Sequence, residues 1–442
     1  MCWQCAGLAR AEPGEPNDGA TRKLAANRPC SLRWGLPDVN GRRWAAAAAV
    51  VVALITAACG GGTTKKTVPP TTSPSTSSTT PRTTTPPATS PTTTVPATTI
   101  PATTVPATTV PQGFLAASVT FVSDHLGWVL GSTCTGSTCA AVLYRTEDGG
   151  HGWAPINTPP LTDIDAGDGD NGEEIRFANA YDGWIVARSE TAPYFVLWAT
   201  YDAGTHWVLV HLPAGVSANS LSDLETSAGT VYASFCGSPI HIAMSPVTSS
   251  DWTLSQSTLP IGAGPVCGEQ IVLQGEAGWL INIDRLVING AQLENGSWVP
   301  WNPPCTDSGG SGEVAAADPN DLVAVCDGGV YSGPADVSVS FSRDGGTTFV
   351  PAPETLPSNS YGPIASPTPG VVVMSPAGEG NLLATFDGGK QWSTVYGAPV
   401  SEGWEYVGFT TAEQGVAIGQ SGALVMTYDG GHEWAPVQFP ST

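Results

Sequence analysis

The chain has 442 residues, with 16 Lys and Arg against 38 Asp and Glu and a formal net charge of −22, so nucleic acid and anionic lipid surfaces would repel it. Its 52 glycines and 39 prolines interrupt every long run, and no window sustains a helical period. A helical bundle is thereby excluded, and short strands joined by turns are the expectation.

Residues 1–58 carry seven of the basic residues and end in Arg42-Arg43 followed by an apolar run from Trp44 to Ala58. About fifteen residues is short for a membrane span but suits a signal-peptide core. The stretch before Arg42 holds Cys2, Cys5, Cys30 and several prolines without strand or helix period, and initiation at Val39 would leave an ordinary basic leader. Thr56-Ala57-Ala58-Cys59, followed by a glycine run, resembles a bacterial lipoprotein box, with Thr56 where such boxes usually have Leu. The resemblance implies cleavage before Cys59 and lipidation of that cysteine. Residues 59–112 form a disordered linker, nearly all Thr, Pro, Ser, Ala and Val from 63 onward. Such a tract cannot build a core; at roughly 3 Å per residue it would lift a domain on the order of 100 Å from a membrane. Its threonines also permit O-glycosylation. The expected organisation is anchor, stalk and head, exported and facing the cell-wall side.

The head, 113–442, is organised by a recurring pattern, Ser/Thr-x-Asp-x-Gly-x-x-aromatic. It is clear at Thr146 to Trp153, Thr200 to Trp207, Ser342 to Phe349, Thr385 to Trp392 and Thr427 to Trp434. Two worn copies end at Trp252 and Trp298, making seven units of roughly 40 to 55 residues, the period of propeller blades. Within a unit, Asp-Gly-Gly supplies positive-φ turn positions and the aromatic packs beneath the turn. A second repeat precedes the first: Phe121 then Gly127-Trp128, Phe177 then Gly183-Trp184, Gly278-Trp279, and Phe409 then Gly415. The pattern resembles the Asp-box, or bacterial neuraminidase repeat, superfamily of β-propellers, with photosystem II assembly-factor-like, sialidase-like and sortilin-like members; the first of these is the nearest resemblance. It covers roughly residues 113–437. It implies an all-β, seven-bladed propeller of four-stranded antiparallel blades, in which Asp148, Asp202, Asp344, Asp387 and Asp429 are structural turn residues rather than catalysts.

Six cysteines fall in the head, and an even count in an exported domain argues for disulfides over a zinc site. Nearest-neighbour pairing gives Cys134 with Cys139, Cys236 with Cys267 and Cys305 with Cys326. The run containing Asp163, Asp165, Asp168 and Asp170 alternates carboxylates with glycine, which suits either a Ca²⁺ loop or a merely solvated connection. Calcium is the one cofactor the sequence suggests. Nine of the head's tryptophans follow the repeat register and belong to the core; Trp198, Trp301 and Trp404 do not. Trp404, beside Tyr406 at the entry to the last blade, is a candidate sugar-stacking platform, against a rim or packing role.

With six basic against thirty-four acidic residues, the head lacks the arginine-rich face of the assembly-factor relatives. The resemblance to sialidases would require three arginines on a substrate carboxylate and an Arg-Ile-Pro signature, but Arg176 is followed by Phe177-Ala178. The favoured reading is a surface-anchored, monomeric, non-catalytic propeller that binds a protein or glycan or assists assembly of an envelope complex. It would touch the membrane through its lipid alone and bind no nucleic acid. The alternatives are a sialidase-like or other glycoside hydrolase and a structural cell-wall spacer.

Overall fold

A computed structural model describes residues 113–440 apart from 136–137, 163, 165–172, 190–191, 238, 256–267, 285, 307–310, 328–336, 359, 361, 377 and 398–402. The leader, Cys59, the stalk and the four aspartates of the calcium reading therefore lie outside the described residues. Among those described, no helix is long and apolar enough to cross a membrane.

Alternating apolar runs and turns fold into seven four-stranded antiparallel sheets, each from strands consecutive in the chain. Blade 1 holds β1 (Phe114–Phe121), β2 (Gly127–Thr135), β3 (Thr138–Thr146) and β4 (Ala154–Ile156). Blade 2 holds β5 (Glu174–Phe177), β6 (Gly183–Ser189), β7 (Ala192–Thr200) and β8 (Val208–Leu209). Blade 3 holds β9 (Leu221–Ser227), β10 (Thr230–Phe235), β11 (His241–Pro246) and β12 (Thr253–Leu254). Blade 4 holds β13 (Glu269–Gln274), β14 (Ala277–Asp284), β15 (Leu286–Glu294) and β16 (Ser297–Trp301). Blade 5 holds β17 (Gly312–Ala316), β18 (Leu322–Asp327), β19 (Val337–Ser342) and β20 (Val350–Pro351). Blade 6 holds β21 (Ile364–Ala365), β22 (Val372–Met374), β23 (Asn381–Thr385) and β24 (Ser393–Gly397). Blade 7 holds β25 (Trp404–Phe409), β26 (Gly415–Gly419), β27 (Leu424–Thr427) and β28 (Ala435–Pro436). The seven-bladed architecture expected from the repeat is the fold. The first strand of each blade lies innermost, around a common channel.

The five clear repeat turns share one hydrogen-bond pattern. In blade 1 the Thr146 hydroxyl donates to Asp148 Oδ1 (2.8 Å) and accepts the Gly150 N–H (2.9 Å), while Asp148 Oδ1 accepts the Gly152 N–H (2.7 Å). The same three bonds recur around Asp202, Asp344, Asp387 and Asp429. The aspartates thus act as turn acceptors. Each turn also reaches sideways: Gly149, Ala203, Gly345, Gly388 and Gly430 donate N–H bonds of 2.8–3.0 Å to the loop joining the first two strands of their blade. All five sit at positive φ, and Ala203 at +62° is the one that carries a Cβ there.

The two worn copies use other turns. In blade 3, Val247 stands where the aspartate would be, and the Ser245 hydroxyl donates to Ser249 O instead (3.1 Å). Blade 4 makes a two-residue hairpin at Asn295-Gly296, with φ of +50° and +76°, so Glu294 pairs directly with Ser297. Trp252 and Trp298 are buried nonetheless, since the apolar slot under the turn is filled whichever turn lies above it.

The second repeat also has a steric basis. Phe121, Phe177 and Phe409 lie directly opposite Gly127, Gly183 and Gly415 across the first strand pair. A Cβ at Gly183 would come 2.5 Å from the Phe177 ring, so glycine lets the ring lie flat over the neighbouring strand. Phe177 then stacks on Trp128 of the preceding blade at 3.7 Å. Trp128, Trp184 and Trp279 are fully buried between blades.

The ring closes without strand exchange. Blade 7 meets blade 1 through a backbone bond from Ala116 N–H to Gly422 O (2.9 Å) and through Gln414, whose amide donates to Asp124 O and Gly149 O (both 3.1 Å). The chain then runs past β28, and Phe439 packs against Phe114, Tyr144 and Trp153 of blade 1. Two of the expected disulfides are formed: Cys134–Cys139 bridges directly across the β2–β3 hairpin, and Cys305–Cys326 ties the connection from blade 4 to β18 of blade 5. Cys267, the expected partner of Cys236, is outside the described residues.

Candidate binding site in the central channel

Inner strands of a propeller pair on one edge only, so their other backbone N–H groups face the channel and must find partners. Here the partners come from the neighbouring blade. Five inner strands bury an aliphatic residue, Ile175, Leu224, Ile271, Val314 or Ile364, whose N–H meets the side chain that precedes the equivalent buried residue of the preceding blade. Ser118 Oγ accepts Ile175 N–H at 3.1 Å, Asp223 Oδ2 accepts Ile271 N–H at 2.6 Å and Gln270 Oε1 accepts Val314 N–H at 3.1 Å. Glu174 and Glu313 lie against the Leu224 and Ile364 N–H groups at the equivalent junctions, the Leu224 N–H also donating to Asp223 Oδ1 (2.8 Å). Five successive blade junctions are stitched by this belt.

The channel it encloses has a volume of about 910 Å³. Its lining includes Glu225, Glu269, Glu313 and Glu405, together with Arg176 and Tyr406. Arg176 is its one basic residue among those described, and it is already engaged. Its guanidinium pairs with Glu225 (2.8 Å) and Glu174 (3.0 Å), and its Nε donates to Leu224 O (3.0 Å). Burial works against the Arg176 charge, but Glu225 and Glu174 outweigh it, so the guanidinium is held above its usual range. One guanidinium cannot neutralise three carboxylates. Burial accordingly pushes Asp223 up to about 7, with the nearby Glu225 adding to the rise, and raises Glu174 despite Arg176. Burial likewise pushes Glu313 up to about 7 and raises Glu269. Tyr406 faces the same cluster, hydrogen-bonded to Arg176, and burial raises its phenol.

Tyr406 is therefore placed at the channel, but Trp404 is not available as a platform. Its ring is 6% exposed, packs edge-on against Tyr396 and donates its indole N–H to Gly380 O (3.1 Å), so the packing role holds. Trp198 and Trp301 are likewise packed between blades. Arg145 and Arg343 pair with Glu147 and Asp321 near the recurrent turns, and Arg188 lies over the Phe195 ring, so the described arginines do not converge. Among the described residues no group of three or more His, Cys, Asp or Glu has metal-binding geometry.

No family model and no curated protein matches the chain. Solved structures do. YCF48 from Cyanidioschyzon merolae is 14% identical with a TM-score of 0.50, the match covering 73% of this chain and 97% of that one. A structure of YCF48 bound to D1 peptide is 20% identical with a TM-score of 0.49, covering 72% and 94%. The GH74 enzyme of Niastella koreensis is 12% identical with a TM-score of 0.41, covering 73% and 65%. The chain shares the β-propeller fold of the Cyanidioschyzon merolae YCF48, with seven blades closed around an acidic channel.

Proposed function

We propose that the chain is a surface-anchored, non-catalytic propeller that acts as a monomer and binds a protein or glycan at the cell envelope, or helps assemble an envelope complex. The propeller fold supports a binding or assembly role. The observation that carries the reading is that Asp223, Glu174 and Glu313 are committed to the scaffold, where they meet backbone N–H groups of the next blade. A carboxylate held this way is poorly placed to shuttle a proton at a glycosidic bond. Arg176, clamped between Glu174 and Glu225, is equally unsuited to gripping an anionic sugar. Anchoring through Cys59 belongs to the same proposal and is tested by Cys59→Ala, which should release the protein from the membrane fraction; a variant still membrane-bound and lipid-labelled overturns it.

A second reading is favoured by the pKa values of Asp223 and Glu313, both about 7, the range in which a general acid of a glycoside hydrolase works. The purified chain is to be screened on a glycan array and by cross-linking to envelope proteins, alongside turnover of fluorogenic sialosides and β-glycosides. Binding without turnover supports the proposal. Turnover abolished by Asp223→Asn or Glu313→Gln replaces it with the hydrolase.

A further inference from the structure

We infer that the central channel is a receptor for an organic cation, an ammonium or guanidinium group on a flexible aliphatic stem. The inference rests on the binding reading above and names the chemistry of its ligand. Four observations converge on it. Glu269 is 5% exposed and lines the channel; Gly268 N–H and the Ser222 hydroxyl lie against its carboxylate, yet its Oε1 has no hydrogen-bond partner. A buried acceptor left unmade is costly unless something supplies the missing donor. Second, Glu225 and Glu313 line the same space from two other blades, and the single cation there among the described residues, Arg176, is spent on Glu174 and Glu225. Third, these carboxylates do not converge tightly enough for a metal ion, since no described cluster has that geometry. A group that reaches several separated acceptors through three to five N–H donors fits where a point ion does not. Fourth, Phe121 and Phe409 line the same channel and offer an apolar wall to a methylene stem.

The charge state of the channel agrees. Burial raises Glu174, Asp223, Glu269 and Glu313 toward their neutral forms, and Glu225 adds to the rise at Glu174 and Asp223, where Arg176 opposes it. An entering ammonium group favours the ionised form of a lining carboxyl and draws off its proton, so binding strengthens as pH rises through about 7, where Glu313 titrates. The cation has two natural sources, a lysine or arginine of a peptide and a free polyamine.

The test is calorimetric titration of the purified chain with tetralysine, fully N-acetylated tetralysine and spermidine at pH 8 and pH 6, in buffers of different ionisation enthalpy. Expected are binding of tetralysine or spermidine but not of the acetylated peptide, proton release visible as buffer-dependent heat, and weaker binding at pH 6. Tighter binding of tetralysine than of spermidine assigns the site to a peptide, and the reverse to a free polyamine. Glu269→Gln should weaken the better probe by about 30-fold or more, as for removal of one partner of a buried charged contact. Unchanged affinity in a Glu269→Gln protein with a wild-type melt means that the polycation binds only the acidic surface, and overturns the inference. Equal binding of the acetylated peptide, or no binding at millimolar probe, overturns it on the wild-type chain without any variant. Glycoside turnover would sink the binding reading and leave ammonium affinity measurable, whereas glycan or protein binding without ammonium affinity sinks this inference alone.

Discussion

Glu313→Gln isolates the energetic cost of the acidic channel. Glutamine keeps an oxygen to accept the Ile364 N–H and the same volume, so the change removes the ionisable proton and little else. Moving a carboxyl pKa from 4.5 to about 7 on folding corresponds to about 3 kcal/mol at 1.36 kcal/mol per unit. The sign follows from the raised value: the folded chain binds the proton more tightly, so stability is full below the unfolded pKa and falls as pH rises through the folded one. At pH 8.5 the wild-type chain therefore carries the cost of an ionised, poorly solvated Glu313, while at pH 5 the group is protonated in the fold. Glu313 is partly exposed to channel water, which screens its charge, so about 3 kcal/mol is a ceiling. Urea unfolding at the two pH values should show Glu313→Gln more stable than wild type by up to about 3 kcal/mol at pH 8.5 and by less than about 1 kcal/mol at pH 5. Equal differences at both pH values would refute the assignment of the proton to this site.

At the recurrent turns, Ala203→Gly should raise stability by roughly 0.5–1 kcal/mol by relieving a non-glycine residue at φ +62°. Gly149→Ala should cost more than about 2 kcal/mol, since its Cβ would meet Asp124 O at 2.5 Å; urea midpoints read both. Trp434→Ala, at a buried ring bonded to Gly431 O, should cost about 3–5 kcal/mol in chemical denaturation, and Trp392→Ala, at a half-buried one, about half as much. Replacing Cys305 and Cys326 by serine opens a 21-residue loop and should cost about 3 kcal/mol, seen as a lower melting temperature.

The blade count and the chemistry of the turns were legible because local geometry demands particular residue types. Thr146, Asp148 and Gly150 satisfy one another within five residues, and Gly183 is required by Phe177 six residues earlier. Blade 4 escaped the pattern because Asn295-Gly296 meets the same need with a shorter turn. The burial of Trp404 depends on Tyr396 and Gly380 of the preceding blade, a long-range contact that no local spacing encodes. The channel belt had a signal that residue identity conceals. Ser118, Glu174, Asp223, Gln270 and Glu313 differ in type and charge, yet each is a hydrogen-bond acceptor immediately before a buried aliphatic residue. Reading the inner strands by acceptor capacity rather than by identity recovers all five.

Because every blade is a contiguous piece of chain, six of the seven junctions can form while the polypeptide is still growing. The seventh cannot. Phe114, Tyr144 and Trp153 belong to the first blade made, and the ring that covers them, Phe439, is added about 290 residues after Trp153. At about 5–20 residues per second, that apolar face waits on the order of fifteen seconds to a minute for its cover. The first blade is thus the one with the longest uncovered lifetime during synthesis, and a chain that stopped before Phe439 would keep that face open permanently, a ready surface for self-association.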